Sequence, residues 1–281
     1  MGTIEKAMQK LQATPNVILD ADAGALVKPS SAATSELPRR APIELDFSRF
    51  KSMNLLMPEV VHDPLLEEFR RIKRPILRNA FGQERNSNGH RNVVMVTSSV
   101  AGEGKTYTSI NLALSITLEL DRTVLLVDTD VIKPSITSYL GIDAQQGLVD
   151  YLLGESTDVA DYFIKTSIPN LSILPAGRKE RRTAELLASG RMSALVEELA
   201  TRYSDRIVIF DAPPLLQTSE AGVLANLVGQ VVVVVEANQT EKSTLKDALA
   251  LLDKTRDVSL VLNKAERARS SGYYGDYGVE S

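Results

Sequence analysis

The sequence predicts an α/β fold, a doubly wound and mostly parallel sheet with helices on both faces. Two observations carry this. Six short runs are apolar at nearly every position: VVMV (93–96), VLLV (124–127), LSIL (171–174), IVIF (207–210), VVVVV (231–235) and SLVL (259–262). Strands covered on only one face alternate apolar and polar residues, so continuous β-branched runs indicate parallel strands covered on both. Between the runs lie stretches of helical length and pattern, Thr106–Leu120, Arg191–Tyr203 and Glu241–Leu252 among them. Strands alternating with helices build a parallel sheet with helical crossovers.

The 281 residues, 43% of them hydrophobic, suffice for one domain with tails. Residues 16–58 mix Pro, Ser, Ala and isolated charges with little periodicity, so residues 1–60 are expected to be a flexible N-terminal arm, with a short helix over Ile4–Leu11. Asp63-Pro64 then suits an N-cap and first helical position for a helix through LLEEFRRIK, expected to be interrupted near Pro75. The domain is expected to span 61–265, and the low-complexity stretch 266–281 to form a mobile tail.

Acidic residues number 36 against 32 basic, a net charge of −4, so no overall field attracts nucleic acid or anionic lipid. The absence of cysteine excludes disulfides and thiolate metal sites and suits a reducing, cytoplasmic setting. No run approaches the ~18 apolar residues of a membrane span, the N-terminus lacks a secretory pattern, and Lys6 stands where a myristoylation signal has Ser or Thr. His62 and His90 are isolated, which gives a transition-metal site no support.

The chemistry begins at Val96-Thr-Ser-Ser-Val-Ala-Gly-Glu-Gly-Lys-Thr106, where an apolar strand passes through a Gly-rich turn into a helix beginning near Lys105. That is the context of a phosphate-binding loop. Gly102 and Gly104 let the backbone take positive φ, and the loop amides and helix N-terminus point positive ends at an anion. Lys105 is expected to span the β- and γ-phosphates of ATP and Thr106 to ligate Mg²⁺ through its hydroxyl. Ala101, Gly102, Glu103, Gly104, Lys105, Thr106 and Tyr107 are accordingly assigned to the nucleotide. Ser99 departs from the standard pattern, which has glycine there.

Two further segments support a site. VLLVDTD places Asp128 and Asp130 at the carboxyl end of one strand, and IVIFDAPP places Asp211 at the end of another. Ligands of open α/β sheets bind outside those ends. Any one Asp after a strand is commonly a turn or cap residue, but three beside a phosphate loop are poorly explained that way. Asp211 is expected to hold Mg²⁺, directly or through water, with Thr106 as a ligand and Asp128 and Asp130 completing its shell. Asp128 or Asp130 is expected to accept a proton from the attacking group.

Gly102-Glu103-Gly104-Lys105-Thr106, LLVDTD followed by Pro134, and IVIFDAPP together resemble the bacterial tyrosine kinases, or BY-kinases, autokinases of exopolysaccharide synthesis and export. The subgroup tied to exosortase-linked exopolysaccharide loci is the nearest in pattern, and the likeness runs from about Asp63 to the C-terminus. In that family the three segments are Walker A, Walker A′ and Walker B. The resemblance implies that Glu68, Arg71 and Arg74, at helical spacing, form the subunit interface of a homo-oligomeric ring; the alternative is an ordinary solvated charged face. It implies that Tyr273, Tyr274 and Tyr277, three of the chain's eight tyrosines within its last nine residues, are the phosphoacceptors. Asn263, at the end of a strand, resembles the base-contacting Asn of related P-loop ATPases, which implies that its amide pairs with adenine, a post-strand turn being the alternative. The activator it implies is a membrane-embedded polysaccharide chain-length regulator, which would hold the protein at the inner face of the plasma membrane.

Some positions depart from the pattern. Val100 stands where the cell-division and partition ATPases carry a signature lysine, Ala212 replaces a hydroxyl residue, and Ile132 sits where an Arg often follows the Walker A′ aspartates. The expected mechanism is in-line transfer, with Lys105, the loop amides and Mg²⁺ neutralising the phosphates while Asp130, in preference to Asp128, orients the tyrosine hydroxyl. The competing reading is a non-kinase ATPase switch or scaffold of the partition type.

Overall fold

A computed structural model describes residues 41–57, 60, 63–82, 90–202 and 205–266. Among them the seven-stranded sheet runs in the order β3-β4-β2-β5-β1-β6-β7. The strands are β1 (Val93–Ser98), β2 (Thr123–Asp128), β3 (Ile164–Lys165), β4 (Leu171–Leu174), β5 (Arg206–Asp211), β6 (Gln230–Glu236) and β7 (Asp257–Asn263). All pairings are parallel except that of β3 with β4. The six runs read from the sequence are six of these strands. The seventh, β3, is two residues long, too short to show a period.

Helices cover both faces. On one lie α1 (Phe47–Ser52), α2 (Pro64–Phe81), α3 (Lys105–Ile116) and α4 (Ile136–Leu140), packed on Val94, Val96, Ile209 and Val232. On the other lie α5 (Leu148–Leu153), α6 (Thr183–Leu187), α7 (Gly190–Thr201), α8 (Ser219–Leu227) and α9 (Lys242–Ala250), packed on Met95, Leu125, Phe210 and Val233. Successive residues of one strand thus enter opposite cores, which is why the runs are apolar at every position.

Four expectations are corrected. The phosphate-loop helix stops at Ile116, and Leu120 is fully exposed beyond it. The SLVL run is not doubly buried: β7 is an edge strand, with Leu260 53% and Leu262 64% exposed. Helix α2 is not interrupted at Pro75 but runs through it, capped by the Asp63 carboxylate, which accepts from Leu65 N. An internal proline costs about 3 kcal/mol, and burying Leu66, Phe69 and Ile76 at roughly 1.5–3 kcal/mol each outweighs it. Lys73 adds a tether, its buried ammonium donating to the Ser115 carbonyl at 2.6 Å and pairing with Glu119 at 2.6 Å.

The fourth correction concerns the arm, whose residues 41–57 belong to the domain. Phe50 is fully buried in the α1–α4 core together with Leu55 and Leu56. Asn111 of α3 accepts from Leu56 N at 2.7 Å, and Ile43 bridges to Thr166 beside β3. Truncation of Phe50→Ala should therefore lower the unfolding free energy by about 3–5 kcal/mol in urea denaturation, whereas an arm merely resting on the domain would leave the midpoint unchanged.

Candidate functional site

Register brings the site together. β1 lies between β5 and β6, and the pairing of β2 with β5 sets Asp128 directly opposite Asp211 at the carboxyl ends of the sheet. The loop leaving β1 turns over these ends into α3. Gly104, at φ 98°, caps α3 without any side-chain cap bond, so the first amides of the helix remain available to an anion. A Cβ on Gly104 would stand 2.0 Å from Asn263 Nδ2, so glycine is required there for both conformation and space. At Gly102, φ 95° with open surroundings, conformation alone requires it. A cleft of about 380 Å³ opens beside this loop, lined by Gly102, Lys105, Thr106, Asp130, Lys133 and Pro213 among others.

The charged cluster begins on the wall of this cleft, with Lys105 and Asp130. Lys105 Nζ pairs with Asp130 Oδ2 at 2.8 Å and stands 3.9 Å from Asp211 Oδ1. Burial opposes its charge, but the Asp211 and Asp130 carboxylates outweigh burial and raise its pKa above the usual lysine value. Asp211 is completely buried. Its Oδ2 accepts from the Thr106 hydroxyl at 2.7 Å and its Oδ1 from the Ser109 hydroxyl at 3.0 Å. Burial nevertheless pushes its pKa up, against the pull of Lys105, Thr106 and Ser109. Because the Thr106 proton is directed at Asp211, the lone pairs of its oxygen remain for a cation on the cleft side.

Asp128 is also fully buried. Its Oδ2 accepts the amides of Ser135 and Ile136 at 3.0 and 3.1 Å, capping α4, while Oδ1 has no hydrogen-bond partner. Burial first, then the Asp211 charge, push its pKa up to about 8 despite those amides. Asp130 faces the cleft and its Oδ1 accepts from Lys133 N at 3.1 Å. No group of three or more His, Cys, Asp or Glu side chains among the described residues forms a metal cage. A divalent cation here would therefore take much of its shell from phosphate and water, the usual habit of Mg²⁺. The uncapped amides, the Thr106 lone pairs and the orphaned Asp128 oxygen fit a magnesium–nucleotide complex.

The other expected residues divide. Ala101 and Tyr107 line the cleft, Tyr107 pointing its hydroxyl at the Asn54 carbonyl 2.9 Å away. The Glu103 side chain is buried and turns inward, accepting from Val100 N at 2.8 Å and from the Thr240 hydroxyl. Asn263 borders a second cleft of about 960 Å³ that runs from Gly102 and Tyr107 past Glu68 to Asp63. Its amide nitrogen donates to the Glu103 carbonyl at 2.8 Å. Glu68, Arg71 and Arg74 lie on the exposed face of α2, opposite buried Leu66, Phe69 and Lys73. Tyr273, Tyr274 and Tyr277 lie outside the described residues, as do His62 and Ile4–Leu11.

Several participants were not identified from the sequence. Ser109 is three residues past Thr106 on the same helix, and that spacing was the available signal. Lys264, whose ammonium donates to the Gly102 carbonyl at 2.9 Å and pairs with Glu236 at 2.9 Å, gave none. Nor did Thr240.

Comparison with known proteins follows this geometry. Residues 91–265 match the family model described as an AAA domain. The tyrosine-protein kinase YwqD of Bacillus subtilis is 33% identical over 187 residues, 65% of this chain and 77% of that one. The CapB chain of Staphylococcus aureus is 29% identical over 236 residues, 82% of this chain and 99% of that one. Tyrosine-protein kinase wzc of Salmonella typhi is 30% identical, but the match covers only 31% of its length. Among solved structures, the kinase domain of VpsO superposes with a TM-score of 0.60 at 32% identity, covering 72% of this chain and 96% of that one. The septum site-determining protein MinD of Pyrococcus horikoshii, complexed with Mg-ADP, superposes at 0.51 with 26% identity, covering 63% of this chain and 72% of that one. With the family model spanning most of the chain and YwqD matched over three-quarters of its own length, the chain belongs to the bacterial tyrosine kinases, a branch of the P-loop ATPases.

Proposed function

We propose that this chain is a Mg²⁺–ATP-dependent protein-tyrosine autokinase that phosphorylates Tyr273, Tyr274 and Tyr277 of its own kind and thereby regulates exopolysaccharide synthesis and export. The observation that carries the reading is the Lys105–Asp130 pair at 2.8 Å, both residues lining the cleft, with Lys105 3.9 Å from buried Asp211. Without phosphate, Lys105 neutralises Asp130. An arriving triphosphate competes for Lys105, and the Asp130 carboxylate is then left facing the cleft as a hydrogen-bond acceptor for a tyrosine hydroxyl. ATP supplies the phosphoryl group, and Mg²⁺, when bound, neutralises the charge that develops on its oxygens. Thr106 would hold the cation directly; Asp211, its oxygens taken by Thr106 and Ser109, would act through water or through Thr106. Asp128 serves the cluster from behind, oriented by the α4 amides, so Asp130 is the better base. The protein surroundings do the rest by positioning and by fixed dipoles.

The remaining assignments rest on the resemblance. Glu68, Arg71 and Arg74 form a ring interface, the described domain carries catalysis, residues 266–281 deliver the tyrosines, and a separate membrane-embedded chain-length regulator is the activator. No helix among the described residues is long and apolar enough to cross a membrane, which suits attachment at the inner membrane face through that partner. The partition-type ATPase switch is the weaker reading, because Val100 lacks the signature lysine and donates its amide to Glu103.

Three outcomes test this reading. Incubation of the purified protein with Mg²⁺ and ATP should place phosphotyrosine on Tyr273, Tyr274 or Tyr277 by mass spectrometry; ADP release without phosphotyrosine, even with the activator present, would instead establish the switch. Lys105→Ala should lower transfer by about 10²–10³-fold with an unchanged circular-dichroism spectrum, and undiminished transfer would remove Lys105 from the mechanism. The raised Asp128 pKa, about 8, makes a third prediction. Since the fold disfavours the ionised form, this group's contribution to stability is fully present below its ordinary pKa and is lost as pH rises toward 8. A cation reverses that preference, so Mg-ADP binding at pH 7 should release close to one proton more in the wild type than in Asp128→Asn, measured calorimetrically in buffers of different ionisation enthalpy. Equal release would show that Asp128 does not change its proton state on binding, against this prediction.

A further inference from the structure

The phosphate loop is gripped from behind by the last strand. Lys264 follows β7 in left-handed conformation, φ 56°, and its ammonium donates to the Gly102 carbonyl at 2.9 Å while pairing with Glu236 Oε2 at 2.9 Å. The neighbouring Asn263 donates from Nδ2 to the Glu103 carbonyl at 2.8 Å. In a trans peptide the C=O and the following N–H point in opposite directions. Drawing the Gly102 carbonyl toward Lys264 therefore turns the Glu103 N–H away from β7. Drawing the Glu103 carbonyl toward Asn263 does the same to the Gly104 N–H. A glycine-flanked loop has no intrinsic preference for this arrangement, since Gly102 and Gly104 allow either peptide plane to flip.

We propose that Lys264 and Asn263 are positioning residues of the phosphate site: by holding two loop carbonyls they aim the Glu103 and Gly104 amides at the β-phosphate before nucleotide arrives. Glu236 is the counter-ion that keeps the Lys264 ammonium in place, and its own amide is bound by the Thr240 hydroxyl at 3.1 Å. Thr240 in turn donates to buried Glu103, whose other oxygen takes the Val100 amide. The β6–α9 turn and the end of β7 thus brace the loop at Val100, Gly102 and Glu103 without lending a side chain to the transferred group. An amide already oriented loses less freedom on binding the anion, so the clamp tightens binding without touching the reacting atoms. The proposal rests on the assignment of this loop to ATP phosphates.

The test uses Lys264→Met, which keeps the apolar stem, and Lys264→Arg, which restores the donors and the charge. Backbone ¹⁵N order parameters of Glu103 and Gly104 in nucleotide-free protein should be near the rigid value of about 0.85 in the wild type and below about 0.6 in Lys264→Met, with Lys264→Arg close to wild type. Affinity for Mg-ADP and for magnesium pyrophosphate, by calorimetry, should both fall about tenfold in Lys264→Met. A loss for ADP alone would mean that Lys264 contacts the nucleoside and would overturn the positioning role, as would unchanged order parameters or unchanged pyrophosphate affinity. Failure of the wild type to bind either ligand would overturn the proposed function. The relaxation measurement needs no nucleotide and separates that outcome from failure of the clamp.

Discussion

The arrangement depends on one buried carboxylate. Asp211 ends a central strand with no exposure to solvent, and an isolated charge in such a place is costly. The Thr106 and Ser109 hydroxyls solvate it and Lys105 balances it, and all three come from one helix. Holding that carboxylate therefore holds the first turns of α3, and with them the glycine loop that α3 terminates. The Asp211 backbone takes part as well, its carbonyl accepting both the amide and the hydroxyl of Thr129 between the two Walker A′ aspartates. Three strand ends are tied into one rigid floor.

That floor is unbalanced in charge. Asp128, Asp130 and Asp211 face a single ammonium, and two of the three, Asp128 and Asp211, have no exposure to solvent. Without a ligand, burial raises the pKa of both Asp128 and Asp211, and Asp128 also keeps one oxygen without a hydrogen-bond partner. A divalent cation is one resolution, because it supplies the missing positive charge at the hydroxyl where Thr106 leaves lone pairs open. Binding of a metal–nucleotide at this floor would thereby be linked to its proton state through charge.

Much of this was legible in the sequence, for identifiable reasons. Strands buried on both faces announce themselves by continuous β-branched runs, and Gly102, Gly104, Lys105 and Thr106 form a contiguous word with one dominant physical meaning. The terminal aspartates could be placed because carboxyl ends of parallel strands gather at one edge. What local pattern could not show is which partners arrive from far along the chain. Glu103 sits between two glycines and is assigned by the motif to the nucleotide, yet Thr240, 137 residues away, draws its side chain into the interior. Pro75 reads as a helix breaker, and the burial of Leu66, Phe69 and Ile76 with the tether at Lys73 overrules it. Phe50 stands in a stretch of arm-like composition, and its membership of the core depends on an α1–α4 surface assembled from distant segments.

The contacts of Lys264 and Asn263 with the loop span 162 and 160 residues. The loop itself is encoded near the start of the sheet, but Asn263 ends β7 and Lys264 follows it. During synthesis a ribosome-bound chain would display the complete Gly-Glu-Gly-Lys-Thr word long before β7 emerged. Such a nascent chain would carry the loop in an unbraced form, so competence to take up nucleotide should be acquired last. The same dependence makes the end of the domain a checkpoint: a product that stops short of Asn263 retains every residue of the catalytic floor and lacks the braces that shape its cradle.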